Sequence, residues 1–501
     1  MSRTLRGSAA ALVAAALLAA GCSDDATLTS NADEGGSIVV AEAEAPNSLD
    51  PALAASPAAR RTAWLAYTPP VTYRRTEGEA GTELVAALAE ELPETSDDGR
   101  TYSFVFRPGL RYSNGQVLRA ADFKRAVERS VKLNPEAARA FAGVVDIVAE
   151  DAERTVRIEL ETPDRLFMHA LATTWAAPVP RGTSPKDLSA NPPPGIGPYR
   201  VAQVRRGGDV VLERRQRWRL EAVPAGNPRE IVTRTIPSLE ERVRSVQDGR
   251  ADLVEGESPV RILPDIRSAP GNAYEEHRTL RALAVRIDAS RAPFRDGSVR
   301  RAVGYALDAN DLARIYGGFL EPICNALPPD APGYAALDPC PFGDRSRDAD
   351  LLQASRLIEE ADARGIRVGV AAGGDRRGRA LALWLTRTLR KVGLAARVVT
   401  PAQAHLAFTA TDPPIPHPSA YFDSVDDPVL QARVRLLEQE EDPHDAAREW
   451  AEIDRDVVSG AYMAPFGVAT AGVLASSRLD MGNCSRFHPV AGMDLSSVCL
   501  R

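Results

Sequence analysis

The sequence predicts a mixed α/β protein of two or three domains, and three observations carry that expectation. At 501 residues the chain is longer than one compact core organises. Apolar residues make up 44% of it and charged residues 26%, the balance of a globular chain with a solvated surface. Within Asp98–Val131 an alternating pattern gives way to a helical one. Tyr102, Phe104 and Phe106 face one way and Ser103 and Val105 the other, whereas Phe123, Ala126, Val127 and Val131 recur at helical spacing. Between the two, Pro108-Gly109 stops the strand and Asn114-Gly115 tolerates the positive φ of a tight turn. Asp122 falls in the first helical turn, where its charge suits the exposed amides.

At the start of the chain, Arg3 and Arg6 precede an apolar run from Ala9 to Ala20 that ends in Ala19-Ala20-Gly21-Cys22. This is the make-up of a secretory signal: a positive head, a short apolar stretch and small residues at a cleavage point. The run is too short to span a bilayer as a helix. Cys22 resembles the acylated residue of bacterial lipoprotein signals, with Ala19 where Leu is usual and Leu18 one step early. Secretion with an unmodified Cys22 is the alternative. Ser23-Asp24-Asp25 and a polar stretch to Gly36 follow like a tether. Two or three acyl chains would hold such a protein at a membrane where one would not.

A net charge of −7 argues against a nucleic-acid scaffold and against attachment to anionic lipid by surface charge. Beyond Cys22 four cysteines remain, in an oxidising compartment. Cys324 with Cys340 and Cys484 with Cys499 would each close a short loop, and three connectivities are open. None stands two or three residues from another, as a metal site would ask.

In order along the chain, Ser37–Ala41 reads as a strand and Ala58–Tyr67 as a helix ending at Pro69-Pro70, with Trp64 and Tyr67 one turn apart. Two strands are expected in Val144–Leu160 around Glu153-Arg154, then a loop and helix over Pro163–Leu171, then Trp175. Gly195 and Gly197 let backbone approach backbone. Val201–Leu212 reads as a hairpin around Gly207-Gly208, and the basic run Arg214–Arg219 with Trp218 as a solvated strand end rather than a nucleic-acid patch. A strand is expected over Leu283–Arg291. Residues 299, 302, 303, 306 and 307 form one helix face. Ala349–Ala363 is read as helix, Ile366–Ala371 as strand and Arg377–Val392 as helix. Gly369 and Gly374 have phosphate-loop spacing, but Asp375 stands where that loop needs Lys and would repel phosphate.

Several of these strings resemble the extracellular solute-binding proteins of family 5, the peptide-, dipeptide- and nickel-binding components of ABC importers. The first is Asp98–Asp122, which keeps Asp98, Gly99, Tyr102, Phe104, Arg107, Gly109, Asn114, Gly115, Ala120 and Asp122 of the family pattern. It departs at Arg119, where the family has a capping Thr worth ~1 kcal/mol. The second is Pro293-Phe294-Arg295-Asp296 with Val299–Asp308. Asn47–Pro51, Pro194–Tyr199 and Leu327–Tyr334 are similar to the family's N-S-L-D-P loop, its G-T-G-P-Y motif and its proline-rich crossover. In the family the glycine motif lies between the lobes. The tail from Gly472 resembles the last strands and helix of actinobacterial members through Ser477, Arg478, Gly482, Asn483, His488, Pro489 and Gly492.

The resemblance implies an α/β, two-lobed periplasmic-binding-protein-like fold (type II, large peptide-binding subclass) with an extra α/β subdomain on lobe I. The expected division is 1–21 signal peptide, 22–36 tether, 37–50 lobe I, 51–164 extension subdomain, 165–268 lobe I, 269–461 lobe II and 462–501 lobe I. It implies a monomeric, lipid-anchored protein on the outer face of the cytoplasmic membrane. Such a protein captures an oligopeptide or similar solute for a permease and its ATPase subunits, without cofactor, metal, nucleic acid or reaction of its own. In peptide-binding members a carboxylate holds the ligand's amine, and Asp412 aligns with it, although Thr409 replaces a Trp and the following loop to His417 is irregular. Its other reading is a turn-forming Asp before Pro413. Tyr67 and Trp175 complete the expected ligand-facing set, with packing in the core as the alternative for Tyr67. The altered loop also fits a lipoprotein of the same fold that serves envelope assembly or signalling. A secreted hydrolase is disfavoured, because the six histidines form no HExxH pair and no G-x-S-x-G is present.

Overall fold

The computed structural model describes residues 35–205, 208–256, 271, 273–343, 348–413, 415–440 and 443–501. The signal peptide, Cys22, most of the tether, Gly207 and the boundary at 268/269 lie outside the described residues.

The chain enters through β1 (Gly35–Glu42), which buries Ile38, Val40 and Ala41. The helix Pro57–Ala66 starts at Ser56, whose hydroxyl accepts from the Ala59 amide. A short pair, β2 (Val71–Tyr73) and β3 (Leu84–Ala86), leads into an antiparallel sheet of β4 (Glu94–Thr95), β5 (Thr101–Val105), β6 (Val144–Glu150) and β7 (Thr155–Leu160), in the order β4-β5-β7-β6. The alternation of β5 decides its faces: Tyr102 and Phe104 are buried while Ser103 and Val105 are half-buried. The helix Ala120–Leu133 lays Phe123 edge-on to Phe104, 5.4 Å between centroids. Arg119 gives this helix no side-chain cap, and Asp122 instead accepts the Arg119 amide at 3.0 Å and the Tyr112 hydroxyl at 3.1 Å. The turn between them has Gly115 at φ 86°.

One long sheet organises the rest. Its remaining strands are β8 (Tyr199–Val204), β9 (Val210–Arg214), β10 (Pro228–Thr235), β11 (Leu253–Gly256), β12 (Ala273–Ile287), β13 (Leu320–Glu321), β14 (Arg367–Ala371), β15 (Ala395–Val399), β16 (Leu406–Thr411) and β17 (Met463–Ala475). Their order is β15-β14-β16-β12-β17-β11-β1-β10-β9-β8, with β13 paired to β17. Among the described residues, β12 and β17 run from one lobe's core into the other's. Leu280 to Ile287 and Met463 to Ala469 pack into the core shared with Trp384, Leu385 and Trp450. Ala471, Val473 and Ala475 belong to the core of Ile38, Val40 and Tyr199. These two cores are the two lobes, and the four-stranded sheet with its helix forms a third core beside the first.

Three expectations change. The strand expected from Leu283 begins at Ala273, because the charged run Glu275–Arg278 is paired to β17 rather than solvated. The glycine loop lies not between the lobes but where the small subdomain meets the first lobe: Ser113 donates to Gly195 O, and Cβ atoms at Gly195 and Gly197 would fall 2.1 Å from Ala66 O and 2.3 Å from Leu65 O. The tail after Ala475 holds β18 (Phe487–His488) and β19 (Gly492–Met493) and, among the described residues, no helix. Pro489 and Gly492, the latter at φ 73°, and the Cys484–Cys499 bond keep it in turns.

Candidate functional site

A pocket of about 740 Å³ lies where β12 and β17 pass from one lobe to the other. The first lobe's side supplies Glu77 and Gly78 from the loop between β2 and β3, and Phe487 and Pro489 from the tail. The crossing strands supply Glu276, His277, Arg278 and Thr470, and the second lobe supplies Leu320, Glu321, Pro322 and Asp330. The walls meet beside it: a Cβ at Gly78 would sit 3.8 Å from the Asp330 carboxylate, and Glu79 is hydrogen-bonded to the Gly333 backbone. The crossing itself is irregular. The register of β12 on β17 breaks between Arg278 and Ala282, where Thr279 Oγ1 donates to Ala469 O at 2.7 Å and Tyr421 OH donates to Leu280 O at 2.7 Å.

Among the described residues, four carboxylates line this pocket against one guanidinium. Arg278 binds Glu321 at 2.7 Å, which raises the Arg278 pKa. Glu276 accepts from Tyr274 OH at 3.0 Å, and Glu77 accepts from the Phe487 amide at 3.1 Å. Burial pushes the Asp330 carboxyl above its ordinary range, with Arg278 pulling down and Glu321 pushing up. The His277 ring lies flat on Phe487, 4.5 Å between centroids. Among the described residues, no three His, Cys, Asp or Glu side chains stand close enough to hold a metal ion.

The residues singled out from sequence fall elsewhere. Tyr67 is buried in the first lobe and its hydroxyl donates to Pro193 O at 2.8 Å; burial pushes its phenol pKa well up. Trp64, one turn earlier, carries the Arg75 guanidinium 3.5 Å over its ring and donates to Asp494 at 3.2 Å. Trp175 is half-buried against the small subdomain's core, and its indole nitrogen has no partner among the described residues. Thr409 stands on β16 opposite Ala284 and donates to its carbonyl at 3.2 Å. Asp412 is exposed just past β16 and pairs with Arg281 at 3.0 Å, at the break in β12. Cys324 bonds to Cys340 and Cys484 to Cys499. The pocket acids had no motif to reveal them. The nearest signal is the run of charges at Glu275–Arg278.

Residues 83–428 match the family described as bacterial extracellular solute-binding proteins, family 5. The chain belongs to that family. The oligopeptide-binding protein OppA of Bacillus subtilis is 25% identical over 293 residues, 53% of this chain and 52% of the relative. The chain thus spans about half the length of the curated relatives it matches. In fold it is similar to HbpA2 from Haemophilus parasuis (17% identical, TM-score 0.80, covering 93% of this chain and 100% of that one). It is also similar to the periplasmic binding protein DppA from Helicobacter pylori, solved with a peptide (18% identical, TM-score 0.70, 93% and 98% covered).

The family-5 signature residues are largely architectural here. Asp98 accepts from Ser96 and the Arg100 amide and, with Gly99 at φ 68°, turns the chain into β5. Arg300 donates to Gly460 O and Phe294 O, both at 2.9 Å, fastening its helix to the end of another. His488 is fully buried, accepts the Val490 and Ala491 amides on Nδ1 and donates from Nε2 to Arg74 O; burial lowers it to about 4. Asp375, which argued against a phosphate loop, caps the helix Arg376–Lys391 through the Gly378 amide at 2.7 Å. The basic run is tied down likewise, with Trp218 donating to Val223 O at 2.6 Å and Arg215 to Arg111 O at 2.9 Å.

Proposed function

We propose that the protein captures an oligopeptide or similar small solute outside the cytoplasmic membrane and delivers it to an ABC permease driven by separate ATPase subunits. In this reading it works as a monomer held by acyl groups on Cys22, with the domain boundaries given above. The observation that carries the reading is the pocket of about 740 Å³ walled by both lobes and by the two strands that join them. Its volume falls in the range of small-ligand sites. Closing two lobes around a ligand buries both of its faces and gives the permease one composite surface to recognise. Family membership supports the same reading, as do relatives whose names state peptide binding.

Thr409 and Asp412 remain candidate ligand contacts at the edge of the junction, and Trp175 a candidate contact on the first-lobe side, whereas the buried Tyr67 has its hydroxyl committed to Pro193 O. An amine approaching Asp412 must share it with Arg281, whose side chain is 40% exposed. That pair also favours a second reading, a lipoprotein of this fold without a transport role. Native mass spectrometry of the chain beginning after Cys22 separates the two. A co-purified peptide mass, lost in Asp412→Ala, supports capture with Asp412 as amine anchor. An empty protein with no thermal shift across peptides, sugars and metals supports the second reading.

A further inference from the structure

We infer that the interlobe pocket selects a cationic solute, one carrying an ammonium or guanidinium group on a partly apolar body; the inference rests on the capture reading above. Glu77, Glu276, Glu321 and Asp330 reach the pocket from four separate segments, and among the described residues the one guanidinium lining it, Arg278, is bound to Glu321. Such a wall holds a negative potential that attracts cations and repels anions before contact.

An independent observation marks the same place as a ligand site. Thr470 lines the pocket at 9% exposure, and its hydroxyl has no hydrogen-bond partner among the described residues. A buried hydroxyl left unpaired is costly, so such groups are normally satisfied by something that binds. The hydroxyl sits on the strand that joins the lobes, where a ligand's polar atom would complete it.

The distribution of the acids decides the kind of cation. Since no three donors converge on one point among the described residues, the carboxylates suit an extended organic cation with several N–H donors rather than a bare metal ion. Leu320, Pro322, Phe487 and Pro489 give the remaining wall an apolar surface for the methylenes that carry such a group. Asp330, whose burial leaves its charge poorly compensated, gains most from a bound cation.

The test is calorimetric titration of the chain beginning after Cys22 with Ala-Lys-Ala, Ala-Ala-Ala and Ala-Glu-Ala at low and high salt. The lysyl peptide should bind at least about tenfold tighter than the alanyl one, the glutamyl peptide weakest, with the gap narrowing as salt rises. Asp330→Asn and Glu276→Gln, near-isosteric changes, should each cut the lysyl preference over the alanyl peptide roughly threefold or more. Thr470→Val, which keeps the volume and removes the hydroxyl, should weaken all peptides that bind. Equal binding of the three peptides, or a lysyl preference untouched by either acid variant, overturns the inference and leaves capture standing. Failure of every peptide to bind overturns both.

Discussion

His169 and His417 meet edge to face at the junction of the lobes, ring centroids 5.9 Å apart and planes at 68°. His169 comes from the helix Phe167–Ala170 beside the small subdomain, with Tyr73 OH 3.0 Å from its Nδ1. His417 comes from the loop after β16, accepts the Ser419 amide on Nδ1 and packs edge-on to Trp450. Burial lowers His169 to about 4, and burial with the neighbouring His169 lowers His417 to about 3. Both rings are therefore neutral where they touch.

Acid should loosen this contact. Exposed imidazoles titrate near 6.5, so below that pH the unfolded chain takes up protons that the folded one refuses. The stability of the neutral pair is whole above pH 6.5 and drains away as pH falls toward 4. Asp454 acts oppositely: burial raises it to about 6, so its contribution is lost as pH rises through 6. Comparing wild type with His169→Phe/His417→Phe cancels Asp454 and His488. The wild-type melting midpoint should fall more between pH 7 and 4.5 than that of the double variant; parallel curves would sink the idea.

Asp50 and Arg129 form a buried two-point pair, Nη1–Oδ1 at 2.7 Å and Nη2–Oδ2 at 2.5 Å, fastening the Asn47–Pro51 loop to the helix Ala120–Leu133. Arg129→Met strands the carboxylate with only the Ala52 and Leu188 amides. Denaturant titration should show a loss of ~3–5 kcal/mol. Adding Asp50→Leu should recover part of it. A single variant within about 1 kcal/mol of wild type would mean that water replaces the guanidinium.

Gly197 has an ordinary backbone but no room for a Cβ, which would meet Leu65 O, Ala66 C and Ala66 Cα below 3 Å. Gly197→Ala should therefore separate the loop from the helix Pro57–Ala66 and cost roughly 3 kcal/mol or more. Gly109→Ala faces open space at φ 73° and should lose roughly 1 kcal/mol. Equal melting points for the two variants would contradict this account.

The Cys484–Cys499 bond closes a loop of 15 residues that carries Phe487 and Pro489 to the pocket wall. Cross-linking a loop of that length contributes roughly 3 kcal/mol. Cys484→Ser/Cys499→Ser should melt several degrees lower and bind solute more weakly, since the tail holds one wall. Loss of stability with full binding would show that Phe487 is positioned without the bond.

Much of this architecture was legible because local rules and tertiary packing agree. Tyr102, Phe104 and Phe123 announce strand and helix by spacing, and the same residues form the small subdomain's core. Asp122 replaces a missing cap from inside the first turn, which its position suggested. The pocket was not legible, since Glu77, Glu276, Glu321 and Asp330 are scattered along the chain and each looks like a surface acid. The first half of β12 hid for a related reason: its charges line a cleft, so its alternation carries no apolar face. Tyr67 shows the converse, an aromatic whose burial satisfies it completely.

Among the described residues, β12 and β17 run through both lobes, and their register shifts between Arg278 and Ala282 and again between Leu283 and Ala284, so relative motion of the lobes must twist or bend this two-stranded ribbon. The Thr279 and Tyr421 hydroxyls pin that ribbon on either side of Leu280. The ribbon's stiffness is tunable by two hydroxyl groups, so the rate at which the lobes exchange can be altered without touching anything the solute meets.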